Sequence, residues 1–399
     1  MKLVLATPLF PPQSGGPATD AALLQARLPS YGIETVVCNF GDVRHLPTGI
    51  RHIVYARRLL KLCKDSRGEG GTRNEAGVDG IVAFDTFSVL LPAVIVGKFL
   101  KKPVIVRVPG DFAWEQATQR YGVKDSIEKF QTKCYDVRVE VMRSVQKYAA
   151  RSAALLVVPS DFFGTIVLQW GIAPEKIKRI YLGIDLDEKA TMPSEAILKT
   201  VGEHSKILFS LGRFVPWKGF GMLIDLMKDM PDEWHLVLAG DGPLQAELED
   251  HARKLEEKVQ ATEESQKDFQ EKNENRKNRV TFLGAIPHDE VLGWLARADA
   301  FALNTSFESF SFQVVEAMAS GTPVITTPVG SLPELITNGV EGVLCTPDDE
   351  KAFLEAILST QTNSDEWQKR TDAAQAKAQK FSTKASLDAF VEEVTKICA

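Results

Sequence analysis

Cysteine is scarce and scattered: Cys38, Cys63, Cys134, Cys345 and Cys398 are odd in number, far apart and without a C-x-x-C pair. That pattern excludes a disulfide framework and a cysteine zinc site, and fits a reducing compartment. An excess of positive charge is also missing. With 47 Lys and Arg against 53 Asp and Glu, the formal net charge is −6, so bulk charge does not draw the chain to nucleic acid and any attraction to phosphate has to be local. Long apolar runs are lacking too. No stretch approaches a membrane span, and the start, MKLVLATPLFPPQ, has too few apolar residues before its prolines for a signal h-region. The expectation is a cytoplasmic chain, neither transmembrane nor exported by that route. The six histidines show no metal-ligand spacing.

What is present is apolar content enough for more than one core: 44% hydrophobic residues in a chain of 399, a length that calls for two or three domains. Short β-branched runs alternate with amphipathic stretches. The first half carries KLVLAT, ETVVC, GIVAF, KPVIVRV and ALLVVPS; the second carries KILFSLG, WHLVLAG, VTFLG, AFALN and PVITT. That rhythm predicts parallel sheets with crossover helices, an α/β class chain. The boundary falls between about Gly183 and Ser205, giving one domain over 1–190, a second over 203–375, and a helical end over 376–399. The end, SLDAFVEEVTKI, is amphipathic and is expected to pack back toward the first domain. The segment 248–279 is highly charged and reads as a solvated helix extended by an insertion, its role open.

Three strand-to-helix loops of the second domain carry chemistry. In SFESFSFQVVEAMASGTPVITTPVGSLPE, Glu308 and Glu316 flank a helix start near Ser311. A helix start exposes unpaired N–H groups, a ready anion site. Ionised carboxylates can only accept hydrogen bonds, and vicinal diols are natural donors to them. The alternative is a chance spacing with a capping role. In ILFSLGRFVPWKGF, Gly212 ends a strand and lets backbone approach a ligand, while Arg213 and Lys218 can converge on a diphosphate; the alternative is two solvated cations. In AGDGPL, Gly242 belongs to a further glycine-rich turn.

Taken together, GRF…KG, GDGPL, FLG, E-x7-E and EAMASGTPVITTPVGSLPE resemble the retaining glycosyltransferases of the GT-B fold, family 4, the glycosyl transferases group 1. The resemblance implies two doubly wound Rossmann-like domains facing across a cleft. It implies transfer of a hexosyl group from a nucleotide-diphospho-sugar to an acceptor hydroxyl, with retention of configuration, in the synthesis of a polysaccharide, glycolipid or other glycoconjugate. No cofactor and no metal are implied. Arg213 and Lys218 would hold the donor diphosphate, Glu316 the ribose hydroxyls and Glu308 those of the transferred sugar. The amides around Phe310, Ser311, Phe312 and Gln313 would complete the phosphate site, and Gly284 to Ile286 would border the base.

In the first domain the family has a glycine loop near donor and acceptor, matched by Gly15 and Gly16. Many members carry a His close to the position of Pro109, so Asp111 stands as the substitute contact to the sugar, with helix capping as the alternative. RHIVYARRLLKLCK reads as a basic amphipathic helix whose Arg51, Arg57, Arg58, Lys61 and Lys64 could meet anionic lipid at an inner membrane face, beside a sugar- or lipid-linked acceptor; the alternative is an ordinary surface helix. Two other functions stay open at this point, a nucleotide-sugar epimerase of the same fold and a non-catalytic nucleotide-sugar-binding scaffold.

Overall fold

The computed structural model describes residues 1–13, 15–64, 77–202, 205–264 and 279–398. Contacts divide the chain into two units, Met1–Gly183 with Lys384–Ala399, and Ile184–Thr383.

The first unit holds a six-stranded sheet built from β1 (Lys2–Thr7), β2 (Glu34–Asn39), β3 (Gly80–Ala83), β4 (Val104–Arg107), β5 (Leu155–Val158) and β6 (Ile177–Arg179), in the order β2-β1-β3-β4-β5-β6. All pairings are parallel. GIVA, VIVR and LLVV are buried along their whole length, as expected where helices cover both sheet faces and a strand needs apolar side chains on each. The chain's last helix, Thr383–Cys398, places Leu387, Phe390 and Val394 on one stripe and buries them with Leu3, Leu5, Val82 and Ile105.

The second unit contains β7 (Lys206–Leu211), β8 (Trp234–Ala239), β9 (Val280–Gly284), β10 (Ala300–Leu303), β11 (Val324–Thr326) and β12 (Val343–Leu344), again all parallel, in the order β12-β11-β10-β7-β8-β9. The chain therefore starts at the centre, winds outward through β8 and β9, and returns to the other side of β7 with β10. That reversal leaves a crevice at the carboxyl ends of β7 and β10, the place where doubly wound sheets take ligands.

Residues 184–202 cluster with the second unit. The Thr191 amide donates to the Asp289 carbonyl at 2.9 Å and its hydroxyl to Asp289 Oδ2 at 2.6 Å, while the Ile184 amide donates to the Phe381 carbonyl at 2.9 Å. Of the charged segment 248–279, residues 248–264 belong to the helix Gln245–Glu264, residues 265–278 lie outside the described residues, and Arg279 is buried, donating to the Met230 and Pro231 carbonyls at 3.0 Å. Leu248 and Ala252 of that helix are buried against the β8 side of the core, so its first turns are anchored.

Candidate active site

The loops after β7 and β10 are stitched together by backbone and hydroxyl contacts. The Thr305 hydroxyl donates to the Trp217 carbonyl at 2.9 Å, and the Ser306 amide to the same oxygen at 2.8 Å. Asn304 donates from its amide nitrogen to Asp348 Oδ1 at 2.7 Å and accepts from the Asp348 amide at 3.0 Å, which ties the β10 loop to the loop after β12. With Trp217 pinned, the next residue, Lys218, is delivered to Glu308: Nζ lies 2.5 Å from Glu308 Oε1, with the two side chains 10% and 7% exposed. Burial pushes the Glu308 carboxyl upward in pKa, and Lys218 opposes that shift. An ammonium and a carboxylate are thus paired largely out of water beside the carboxyl ends of β7 and β10.

Arg213 stands on the same β7 loop with its side chain exposed and, among the described residues, without an ion pair. Gly212 precedes it at φ 146, and a Cβ there would come 3.2 Å from Gln313 Nε2 and 3.7 Å from Lys218 Cε. Gln313 and Lys218 therefore converge on the backbone at Gly212. The β8 loop closes in from the other side. A Cβ at Gly240 would sit 2.0 Å from the Gly212 carbonyl oxygen, so no larger residue fits there without moving one of the two loops. Beside it, Gly242 carries its own close approach to Phe214.

The helix Phe312–Ala319 begins at this point. Its preceding residue, Ser311, is fully buried, and its hydroxyl meets Gln313 Oε1 at 3.0 Å without capping the helix, so the first turn carries no side-chain cap. Phe310 is buried and packs edge-on against Phe312 and Phe381, which fixes the loop's path. Glu316, one turn into the helix, is buried, and its Oε1 meets His288 Nε2 at 2.8 Å. On the other face of the same imidazole, Nδ1 lies 3.0 Å from Glu188 Oε2. These two carboxylates push the His288 pKa up to about 9, Glu316 being the larger influence, against the opposing effect of partial burial.

Gly284 ends β9 beside the β8 loop, its carbonyl accepting the Gly240 amide at 2.8 Å. Ile286 is half-buried, and the helix His288–Arg297 starts two residues later. The structure thus gathers Gly212, Arg213, Lys218, Gly242, Gly284, Ile286, Glu308, Glu316 and the Phe310 to Gln313 turn onto the carboxyl edge of one sheet. His288 escaped the sequence reading because its partners are distant in sequence. A signal was nevertheless there: a basic group at a helix N-terminus opposes the dipole and calls for an external anion.

In the first unit, Gly15 at φ 139 leads into the helix Gly16–Arg27 after β1. Asp111 takes the capping role. It is 1% exposed, accepts from the Trp114 amide at 3.1 Å, and holds Gln146 Nε2 at 2.9 Å and Gln131 Nε2 at 2.8 Å. In the helix Ile50–Lys64, Tyr55, Leu59 and Cys63 face the core, while Arg57, Arg58, Lys61 and Lys64 are exposed. Arg51 is half-buried, donating to Thr48 Oγ1 at 3.1 Å and lying over the Phe40 ring. Among the described residues no group of three His, Cys, Asp or Glu is placed to hold a metal ion, and no helix is long and apolar enough to cross a membrane.

Residues 198–380 match the family model described as glycosyl transferases group 1. A Methanocaldococcus jannaschii protein described as an uncharacterized glycosyltransferase is 29% identical over 204 residues, 51% of this chain and 50% of that protein. Glycogen synthase of Mycobacterium tuberculosis is 35% identical over 140 residues, 35% of this chain and 29% of the synthase. The matches thus span half or less of these curated relatives. Among solved structures, Anabaena HepE in complex with UDP and glucose superposes with a TM-score of 0.72 at 21% identity, over 99% of this chain and 100% of that one. The shared fold is GT-B.

Proposed function

We propose, for a chain whose residues 198–380 match the glycosyl transferases group 1 family and whose fold is GT-B, a retaining glycosyltransferase that moves a sugar from a nucleotide-diphospho-sugar to an acceptor hydroxyl. The observation that carries this reading is the convergence of Lys218, Glu308 and the uncapped start of the Phe312 helix at the carboxyl ends of β7 and β10.

Breaking the bond from the anomeric carbon to the diphosphate puts positive charge on the sugar ring and negative charge on the departing phosphate. Lys218, Arg213 and the helix N-terminus neutralise the leaving group without a metal. Glu308 is released from Lys218 as phosphate arrives and accepts from the hydroxyls of the transferred sugar, and Glu316 accepts from the ribose diol. No carboxylate is placed as a nucleophile by this assignment. The acceptor hydroxyl attacks the face that the diphosphate leaves, and a phosphate oxygen takes its proton. HepE has been seen with UDP, which makes a uridine diphosphate sugar the first donor class to test. Thermal shift of wild type and Glu316→Ala against nucleoside diphosphates and their sugars tests the site. Stabilisation by one nucleotide, lost in the variant, is the expected result; no shift with any nucleotide sinks the donor site. Isomerisation of the sugar without acceptor would turn the reading into an epimerase, and donor binding with neither transfer nor hydrolysis into a scaffold.

A peripheral membrane contact is a second reading, motivated by a strip of cations and aromatics on the first unit. Lys64 Nζ lies 5.4 Å from the centre of the Phe99 ring, which is 69% exposed, and Lys98 Nζ lies 5.0 Å from that of Tyr148. Arg57, Arg58 and Lys61 extend the basic face. Such a strip fits anionic headgroups presenting a lipid-linked acceptor. Failure to co-sediment with phosphatidylglycerol vesicles at low salt would remove it.

A further inference from the structure

Resting on the reading of Glu316 as the ribose acceptor, we propose that His288 is a positioning residue of the donor site, an imidazole that locks the Glu316 carboxylate in the orientation a ribose diol requires. It touches the substrate only through Glu316.

The geometry is a three-part bridge. Glu188, in the segment before Thr191, holds His288 Nδ1 at 3.0 Å, and His288 Nε2 holds Glu316 Oε1 at 2.8 Å. Ionised carboxylates only accept, so a ring between two of them donates from both nitrogens and is the imidazolium. Among the described residues His288 is the one side chain hydrogen-bonded to Glu316. Glu316 is 8% exposed on its side chain, so it has little water to hold it in place. Removing His288 would leave a carboxylate on a long, rotatable side chain without a fixed orientation. With His288 present, Oε1 is taken and Oε2 keeps one direction of approach. Two adjacent ribose hydroxyls need acceptors at a defined angle, and preorganising that angle is the contribution assigned to His288.

The bridge is also mechanically seated. Asp289, the next residue, is gripped by Thr191 through both backbone and side chain. A Cβ at Gly293, one turn on, would come 1.9 Å from the Thr191 carbonyl oxygen, so the segment 188–191 lies tightly on the helix that carries His288. The anchoring is thus independent of His288, which argues against a role only in fastening that segment. A cation at this helix start opposes the dipole, and what the sequence loses there in helix stability is offset by the two carboxylates.

The test is calorimetric titration of wild type, His288→Ala and His288→Gln with uridine, guanosine and adenosine 5′-diphosphates and their 2′-deoxy counterparts. Wild type is expected to prefer one ribonucleotide over its 2′-deoxy form by about tenfold or more, the worth of a charge-assisted hydrogen bond. His288→Ala should lose about tenfold on the ribonucleotide and little on the deoxynucleotide, so the ratio collapses. His288→Gln, which still offers one N–H to Glu316, should recover part of it. A ratio unchanged in His288→Ala, with wild type discriminating, overturns the positioning role and leaves the donor site standing. Equal losses on both nucleotides also overturn it, since a merely structural role gives that result. Wild type that binds no nucleotide, or binds without discriminating the 2′-hydroxyl, removes the reading of Glu316 first and this inference with it.

Discussion

Lys218 and Glu308 stand 90 positions apart in sequence and meet as a buried ion pair at the mouth of the β7–β10 crevice. Without a ligand, each neutralises the other. On the proposed reading, a diphosphate arriving at Lys218 would replace Glu308 as its counter-ion and free that carboxylate for hydroxyls, so one exchange would arm both halves of the site.

Lys218→Met leaves Glu308 buried without its partner and should cost about 3–5 kcal/mol of stability. The double variant Lys218→Met with Glu308→Gln should recover most of that loss, because the uncompensated charge is gone. Urea unfolding at pH 7 reads both. Turnover should fall roughly 10²–10³-fold in the single variant and stay low in the double. A double variant no more stable than the single would mean the pair is not coupled as drawn.

Arg213 is exposed and unpaired among the described residues, so Arg213→Ala should move stability by no more than about 0.5 kcal/mol. Its proposed work on the diphosphate should still show as a drop in turnover at saturating donor. Unchanged turnover would return Arg213 to the solvated surface.

The His288 bridge has a pH signature in stability. Its pKa is raised from 6.5 to about 9 in the fold, so the folded state binds the proton more tightly. That contribution is complete below pH 6.5 and is lost as pH rises through about 9. Glu188, Glu316 and the neighbouring Asp289 are the charged groups facing the ring. The melting temperature of wild type should exceed that of His288→Gln most at pH 6, with the gap shrinking toward pH 10. A gap that grows with pH would have the wrong sign for this bridge.

Asp111→Ala removes a helix cap worth about 0.5–2 kcal/mol and strips acceptors from Gln131 and Gln146. The melting temperature should drop while turnover per folded molecule is kept. Turnover lost in fully folded variant would instead give Asp111 a place in the reaction.

Gly240→Ala forces a methyl into the Gly212 carbonyl at a backbone φ of 123 that side chains rarely adopt. A destabilisation of about 1–3 kcal/mol is expected, with weakened nucleotide binding, because the displaced loop is the one bearing Arg213. Melting curves and titration of the same preparation check the two together.

Much of this was visible in the chain itself. Of the twelve strands among the described residues, ten correspond to runs such as KLVLAT and WHLVLAG, most plainly the inner ones, because a strand buried on both faces has to be apolar throughout. The strands left out, β6 and β12, are edge pieces of three and two residues, too short to carry a pattern. Gly212, Lys218, Glu308 and Glu316 were legible from loop position and residue type. His288 was not, since its meaning lies in Glu188 and Glu316, which local spacing does not connect. At Asp111, both capping and ligand contact fit the sequence. Gln131 and Gln146, reaching it from two other helices, join the Trp114 amide in occupying both carboxylate oxygens, a meeting that local sequence does not show.

By itself the sequence determined the alternation of strand and helix, the two-part division, and which loops carry acidic and basic residues, because periodicity and residue chemistry are local properties. The tertiary structure decided which of those residues meet. Strand order sets β10 beside β7, and the Trp217 carbonyl holds Thr305 and Ser306. That is what turns a lysine and a glutamate into one buried pair, since charges act on one another through distance in space and not through separation along the chain.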